Sequence, residues 1–140
     1  MTSPHIQDIN QYINDVLTGR ILACEHIKNA ARRHIKDLEA SAKPEYPYEF
    51  RPELVVKFIP CCELHYHVKG KWRGQRIRLE PWQKFSFGIP FGWVRKRDGL
   101  RRYREIFALI ARKNAKSTMA ALIGLYMGAE DSLGAPEVYS

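Results

Sequence analysis

The stretch from Ile106 to Thr118 constrains the chain most, because it runs from apolar residues (Ile106, Phe107, Ala108, Leu109, Ile110) through Ala111, Arg112, Lys113, Asn114 and Ala115 into Lys116-Ser117-Thr118. The order predicts an apolar strand, a tight basic turn and a helix start. Such a turn brings backbone N–H groups together on an anion while the helix directs its positive end at the same point. The ending is that of the phosphate-binding motif G-x-x-x-x-G-K-[ST]. In that motif the lysine, here Lys116, reaches the β- and γ-phosphates and the hydroxyl of the next residue, here Ser117, holds Mg²⁺. Ile110 and Ala115 stand where the full motif has glycine. A methyl group at Ala115 is compatible with a helical backbone but not with an obligatory positive φ. Taken alone, the pattern also fits an ordinary basic turn between a strand and a helix.

Charge gives the second constraint. The chain of 140 residues carries +8 overall, but Lys69–Lys116 holds 15 of the 23 Lys and Arg and only Glu80, Asp98 and Glu105 of the 15 acids. That segment is therefore +12 and the remainder −4. A basic block of this density calls for a polyanion, internal acids or open solvent, and a nucleic acid or nucleotide is the natural counterpart. A solvated basic face without a partner is the plainer reading. At 45% hydrophobic and 27% charged residues the composition is that of an ordinary globular domain. No apolar run approaches the roughly 20 residues of a membrane span. Residues 1–8 show no basic-then-apolar signal, and three cysteines are too few for a disulfide framework, so a cytoplasmic chain is expected.

Toward the N-terminus, Ile6, Ile9, Ile13, Val16 and Leu17 recur at helical spacing up to Gly19, and Cys24, Ile27, Ala31, Ile35 and Leu38 repeat the pattern. Two amphipathic helices over 6–18 and 21–40 follow, with Arg32, Arg33, Lys36 and Asp37 outward and His26 and His34 on the surface. A linker spans Ser41–Tyr48. A third helix starts at Pro52 and is kinked or ended by Pro60. Cys61, Cys62, His65 and His67 lack the spacing of a zinc site and read as residues of a helix end.

Beyond Gly74, Arg76–Leu79 alternates like a short strand, and Pro81 opens a helix. Phe85, Phe87, Ile89, Phe91 and Trp93 supply core aromatics. Gln83 stands apart, since its amide offers a donor and an acceptor together, as an adenine edge requires. Asp98-Gly99 predicts the turn of a basic hairpin leading into a strand over 103–110. A strongly apolar helix through Met119, Leu122 and Tyr126 should cover the sheet. Gly128–Pro136 reads as a loop and Glu137–Ser140 as the start of a strand.

Leu79-Glu80-Pro81-Trp82-Gln83-Lys84-Phe85, Phe91-Gly92-Trp93 and Ala111–Thr118, in this order, resemble the N-terminal ATPase portion of the large terminase subunit of tailed phages. The early blocks Val16–Arg20 and Ala30–Glu39 are also similar to the helical lead-in of that family. The resemblance implies an α/β fold: a helical N-terminal region over 1–68, then the beginning of a P-loop NTPase sheet of the ASCE type over 69–140, incomplete in this chain. It implies a motor that uses ATP and Mg²⁺ to thread double-stranded DNA into a procapsid, with a portal, a small terminase subunit and, at full length, further copies of itself as the expected partners. It implies that Gln83 contacts adenine, that Arg112 and Lys116 are the catalytic cations, and that Lys113, Asn114, Ala115, Ser117 and Thr118 complete the nucleotide site, with Ser117 on the metal.

Hydrolysis in this class also requires an acidic strand end and a carboxylate to activate water. Only 22 residues follow Thr118, and Glu130, Asp131 and Glu137 among them do not sit at the end of an apolar strand. The expectation is an N-terminal fragment that binds ATP weakly and does not turn it over alone. The competing readings are a non-enzymatic basic DNA-binding or packaging module with a vestigial loop, and a fragment of a helicase-like ATPase.

Overall fold

In the computed structural model, which describes residues 3–129, the first helix α1 (Pro4–Leu17) begins on a proline whose missing N–H is one of the unpaired first-turn donors in any case. Ile6, Ile9, Tyr12, Ile13 and Val16 fall on its buried face. Gly19, at φ 78°, takes the left-handed conformation that lets the chain leave the helix.

Helix α2 (Glu25–Ser41) is turned relative to the expected stripe. Its buried residues are Ala31, His34 and Asp37, while Ile35 and Leu38 are more than one-third exposed. His34 and Asp37 are thus corrections to the outward placement that periodicity suggested. The reason lies across the interface. Trp93 is fully buried, and its indole Nε1–H donates to His34 Nδ1 at 3.1 Å. Arg102 Nη1 donates to Asp37 Oδ2 at 2.7 Å. Burying such donors without acceptors would cost more than exposing two aliphatic side chains by a third.

Strand β1 (Tyr48–Phe50) follows, then α3 (Pro52–Glu63), which passes through Pro60 without ending. Val55, Phe58 and Ile59 of α3 are fully buried, and each contributes about 1.5–3 kcal/mol of apolar transfer. The thiol of Cys62 is also buried, and burial pushes its pKa up to about 12. From Pro81 the chain is continuously helical: α4 (Pro81–Gln83), a π-helical turn (Lys84–Gly88) and α5 (Ile89–Gly92). Gly92 is required by packing. A Cβ there would collide with the Phe50 ring and lie 2.7 Å from Val55 Cγ2.

Strand β2 (Trp93–Arg95) pairs antiparallel with β1 in the register Tyr48–Arg95, Glu49–Val94, Phe50–Trp93. The basic turn forms as the Asp98-Gly99 pair predicts. Gly99 has φ 70°, its N–H donates to Arg95 O at 2.8 Å, and Arg95 N–H donates to Leu100 O at 2.8 Å. Asp98 Oδ1 accepts from the Leu100 amide, and that bond, with Arg97 and Arg95 nearby, holds the Asp98 carboxyl below the usual range.

The strand expected over 103–110 does not form. An apolar run of this kind suits a strand with neighbours at both edges, and among the described residues none pairs with it. It lies instead as an irregular strap, with Phe107 and Leu109 more than nine-tenths exposed. Arg76–Leu79 likewise stays outside any strand, although Ile77 and Leu79 are buried and Arg78 is not. The last helix, α6 (Lys116–Ala129), covers helices rather than a sheet. Tyr126 meets the rings of Phe58 and Phe91 edge-on at 5.1 and 5.3 Å, and those two rings stack at 4.3 Å. The described part is helix-rich, with a two-stranded sheet and one core cluster running from Ile6 to Tyr126. Gly128 belongs to α6, and the expected loop and strand start beyond Ala129 lie outside the described residues. No helix among the described residues is long and apolar enough to cross a membrane.

Candidate nucleotide-binding loop

Met119 anchors the start of α6 in the core, and its amide donates to Ala115 O at 2.9 Å to make the first helical bond. The turn before it is built from two left-handed residues, Lys113 at φ 67° and Ala115 at φ 57°, with Asn114 between them. Asn114 Nδ2 lies 3.4 Å from Ala111 O and 3.3 Å from Arg112 O, tying the side chain back across the bend. Left-handed residues alternating with others turn successive N–H groups toward one side, the backbone arrangement that concentrates positive potential on an anion.

Among the described residues, no backbone carbonyl accepts from the amides of Lys116, Ser117 or Thr118. These are the open first-turn donors of a helix. Arg112, Lys113 and Lys116 add three cations, and no Asp or Glu occurs between Ile106 and Ala129. All residues from Ala111 to Ser117 are exposed and Thr118 is half-buried, so the loop is open to a solute.

Ala115 has the positive φ that the motif's glycine supplies freely. An alanine held there costs about 1–2 kcal/mol. The residue thus holds a left-handed backbone while carrying a side chain that strains it.

Beside the loop, a cavity of about 780 Å³ lies between α2, the Pro81–Gly92 stretch and the strap, with Trp82, His34, Tyr103, Ala111 and Asn114 among its lining residues. Gln83 is not on that wall. It is buried, and its Oε1 accepts from the Glu80 amide at 2.9 Å, closing the N-terminus of α4. Arg112, Lys113, Asn114, Ala115, Lys116, Ser117 and Thr118 are contiguous in one turn, whereas Gln83 reaches the same region only through its neighbours Trp82 and Phe85. Among the described residues, no group of three or more His, Cys, Asp or Glu could hold a metal ion.

Residues 81–133 match the family model described as terminase large subunit, ATPase domain. Over this segment the chain is similar to the terminase large-subunit ATPase domain. The terminase match starts on the proline that opens α4 and takes in Gln83, Phe91-Gly92-Trp93, the Asp98-Gly99 turn and the whole phosphate-type loop. No curated protein and no solved structure matches the chain.

Two groups with consequences for the site were not singled out in the sequence. His34 and Asp37 brace Trp93 and Arg102 on either side of the hairpin that leads to the strap. Their signal is weak, since a His and an Asp three residues apart on a polar helix face look solvated until the partner surface is known. The other is the aromatic residue Trp72 between Gly70 and Gly74 in a wholly basic stretch, and its spacing is visible in the sequence.

Proposed function

We propose that this chain supplies the nucleotide-gripping part of an ATP-driven motor that moves double-stranded phage DNA into a procapsid. The observation that carries the reading is the pair of left-handed residues, Lys113 and Ala115, directly before Lys116 in the terminase-matched segment. In it, the amides from Lys113 to Thr118 cradle the phosphates, Lys116 neutralises the β- and γ-phosphates, and Arg112 faces the charge that develops on the transferred phosphoryl group. Ser117 offers its hydroxyl to Mg²⁺, which supplies charge neutralisation on the phosphate oxygens. Gln83 is the adenine contact that the family resemblance implies; its oxygen is held by the Glu80 amide, so its amide nitrogen makes the contact, and the buried side chain must be uncovered on binding. Residues 1–68 act as the helical lead-in and 69–140 as the beginning of the ATPase domain. A portal, a small terminase subunit and further copies of the motor are the assembly partners in the host cytoplasm.

Hydrolysis needs carboxylates on metal and water, and none lies between Ile106 and Ala129. On this reading the segment from Ile106 to Ala129 grips the nucleotide, and any carboxylate on metal or water comes from outside that segment. The cations Lys69, Lys71, Arg73 and Arg76, with no acid between Glu63 and Glu80, favour a second reading, a basic DNA-binding module with a vestigial loop.

Thermal unfolding with and without Mg²⁺-ATP separates the two. A working site at 100-fold ligand excess over Kd adds about 2.7 kcal/mol and raises the melting temperature. Lys116→Ala should abolish that rise. An unchanged melting temperature in the unsubstituted chain would reject the nucleotide site.

A further inference from the structure

Between α3 and α4 the chain makes a second hairpin that neither the loop nor the core uses. Tyr66 and Arg76 form an antiparallel bridge, His67 N–H donates to Gln75 O at 2.9 Å, and Gly74 N–H donates to His67 O at 2.8 Å. Its tip is a 3₁₀ turn, Gly70–Trp72, framed by Gly70 and Gly74 at φ 75° and 82°. The base is fixed: Ile77 and Leu79 are buried, and the Leu79 amide donates to Glu63 Oε1 at 2.9 Å. From Val68 to Arg76 every residue is exposed. The element is a finger with a rigid root and a solvent-facing tip.

Its chemistry differs from that of the other basic hairpin. There, Arg102 is paired with Asp37, Arg95 and Arg97 with Asp98, and Lys96 Nζ donates to the carbonyls of Ser41 and Lys43 at 3.0 and 2.8 Å. In the finger, Lys69, Lys71, Arg73 and Arg76 have no carboxylate partner among the described residues, and the sequence holds no acid between Glu63 and Glu80. Two aromatic rings stand among these cations. Trp72 is 52% exposed with Lys71 Nζ 4.9 Å from its ring centroid, and Tyr66 is 54% exposed with Arg76 Cζ at 5.9 Å. An exposed indole at the tip of an unneutralised basic finger does nothing for the core. It suits a ligand that has both a free π-face and negative charge at nucleotide spacing.

Duplex DNA meets the charge but hides its base faces in the stack. A single strand meets both, since base stacking on an aromatic residue is tolerant of sequence and is accompanied by phosphate neutralisation. We propose that the Tyr66–Arg76 hairpin is a contact for single-stranded DNA, in which Trp72 stacks on an unpaired base and Lys69, Lys71 and Arg73 neutralise the flanking phosphates. The inference rests on DNA being the partner, as in the proposed function, and it adds which element touches the strand and in what form.

The test is binding of the whole chain to fluorescent oligo-dT and to a hairpin duplex of equal charge, at two salt concentrations. Trp72→Ala should weaken oligo-dT binding on the order of 10-fold, change duplex binding less than about 2-fold, and leave the melting temperature unchanged. Trp72→Phe should retain most of the affinity, and this holds as the comparison even if the alanine variant unfolds. The triple variant Lys69→Gln, Lys71→Gln, Arg73→Gln should lower the salt slope on oligo-dT by about 2. Equal losses on strand and duplex, an unaffected Trp72→Ala, or displacement of oligo-dT by polyglutamate of matched charge would overturn the stacking contact while leaving duplex binding standing. Failure of the unsubstituted chain to bind either form would overturn both this contact and the DNA-partner reading.

Discussion

Arg102 and Asp37, 65 residues apart in sequence, meet at 2.7 Å in a largely buried ion pair that fastens the basic hairpin to α2. The Tyr46 hydroxyl donates to the other oxygen of Asp37 at 2.8 Å, and the guanidinium lies over the rings of Tyr48, Trp93 and Tyr103 at 4.5, 5.3 and 5.1 Å. Removing one partner leaves a buried charge unmatched. Asp37→Ala should therefore destabilise the chain by about 3 kcal/mol, read as a lower urea midpoint at unchanged m-value. Arg102→Lys should recover little, because an ammonium cannot replace a planar cation stacked among three rings. The double variant Asp37→Leu, Arg102→Met should cost less than the two single losses added together.

His34 gives the fold a pH dependence of known sign. Burial depresses its pKa from 6.5 to about 4, the nearby Asp37 opposing the shift only in part, and the neutral ring accepts the Trp93 indole hydrogen. As pH falls, the unfolded chain takes up a proton at this residue before the folded one does. The stability it contributes is present above about pH 6.5 and lost on descending to about pH 4, with a magnitude of about 3 kcal/mol. Urea midpoints across this range should fall in the unsubstituted chain. His34→Gln, which keeps an acceptor but does not titrate, should flatten that part of the profile.

Ala115 is the position at which fold and proposed function conflict. Glycine there removes the left-handed penalty but makes the unfolded chain more flexible, so Ala115→Gly should gain about 0.5 kcal/mol net. It should also tighten Mg²⁺-ATP binding severalfold, because the methyl group no longer stands where backbone approaches phosphate. Ala115→Val should do the opposite on both counts. Calorimetric melting and titration of the same variants measure the two effects separately.

Much of the architecture was legible from periodicity and punctuation. The stripe Ile6, Ile9, Ile13 and Val16 defines the buried face of α1, the prolines at 52 and 81 stand at helix starts, and Asp98-Gly99 makes its turn, whereas α1 starts at Pro4, two residues before the expected position. The turn before Lys116 and the helix start on it were legible as well, since both follow from residue type and spacing. Less legible was everything that depends on a distant neighbour. Ile106–Ile110 has a strand's composition, but a strand is completed by hydrogen bonds from outside its own sequence. The burial of His34 and Asp37 was hidden for the same reason, because only Trp93 and Arg102 make those positions interior.

The sequence by itself determined where helices begin after proline, that a turn precedes Lys116, and how far positive charge is concentrated after Lys69, because these follow from local sterics and residue chemistry; the left-handed backbone at Lys113 and Ala115 runs against local sterics and was set by the fold. The tertiary structure decided which face of α2 is buried, which basic residues are neutralised within the fold and which stay open in the Tyr66–Arg76 finger. Those outcomes turn on desolvation. A charged or polar group is stable inside only where a partner from another part of the chain arrives to meet it, and that arrival is a property of packing.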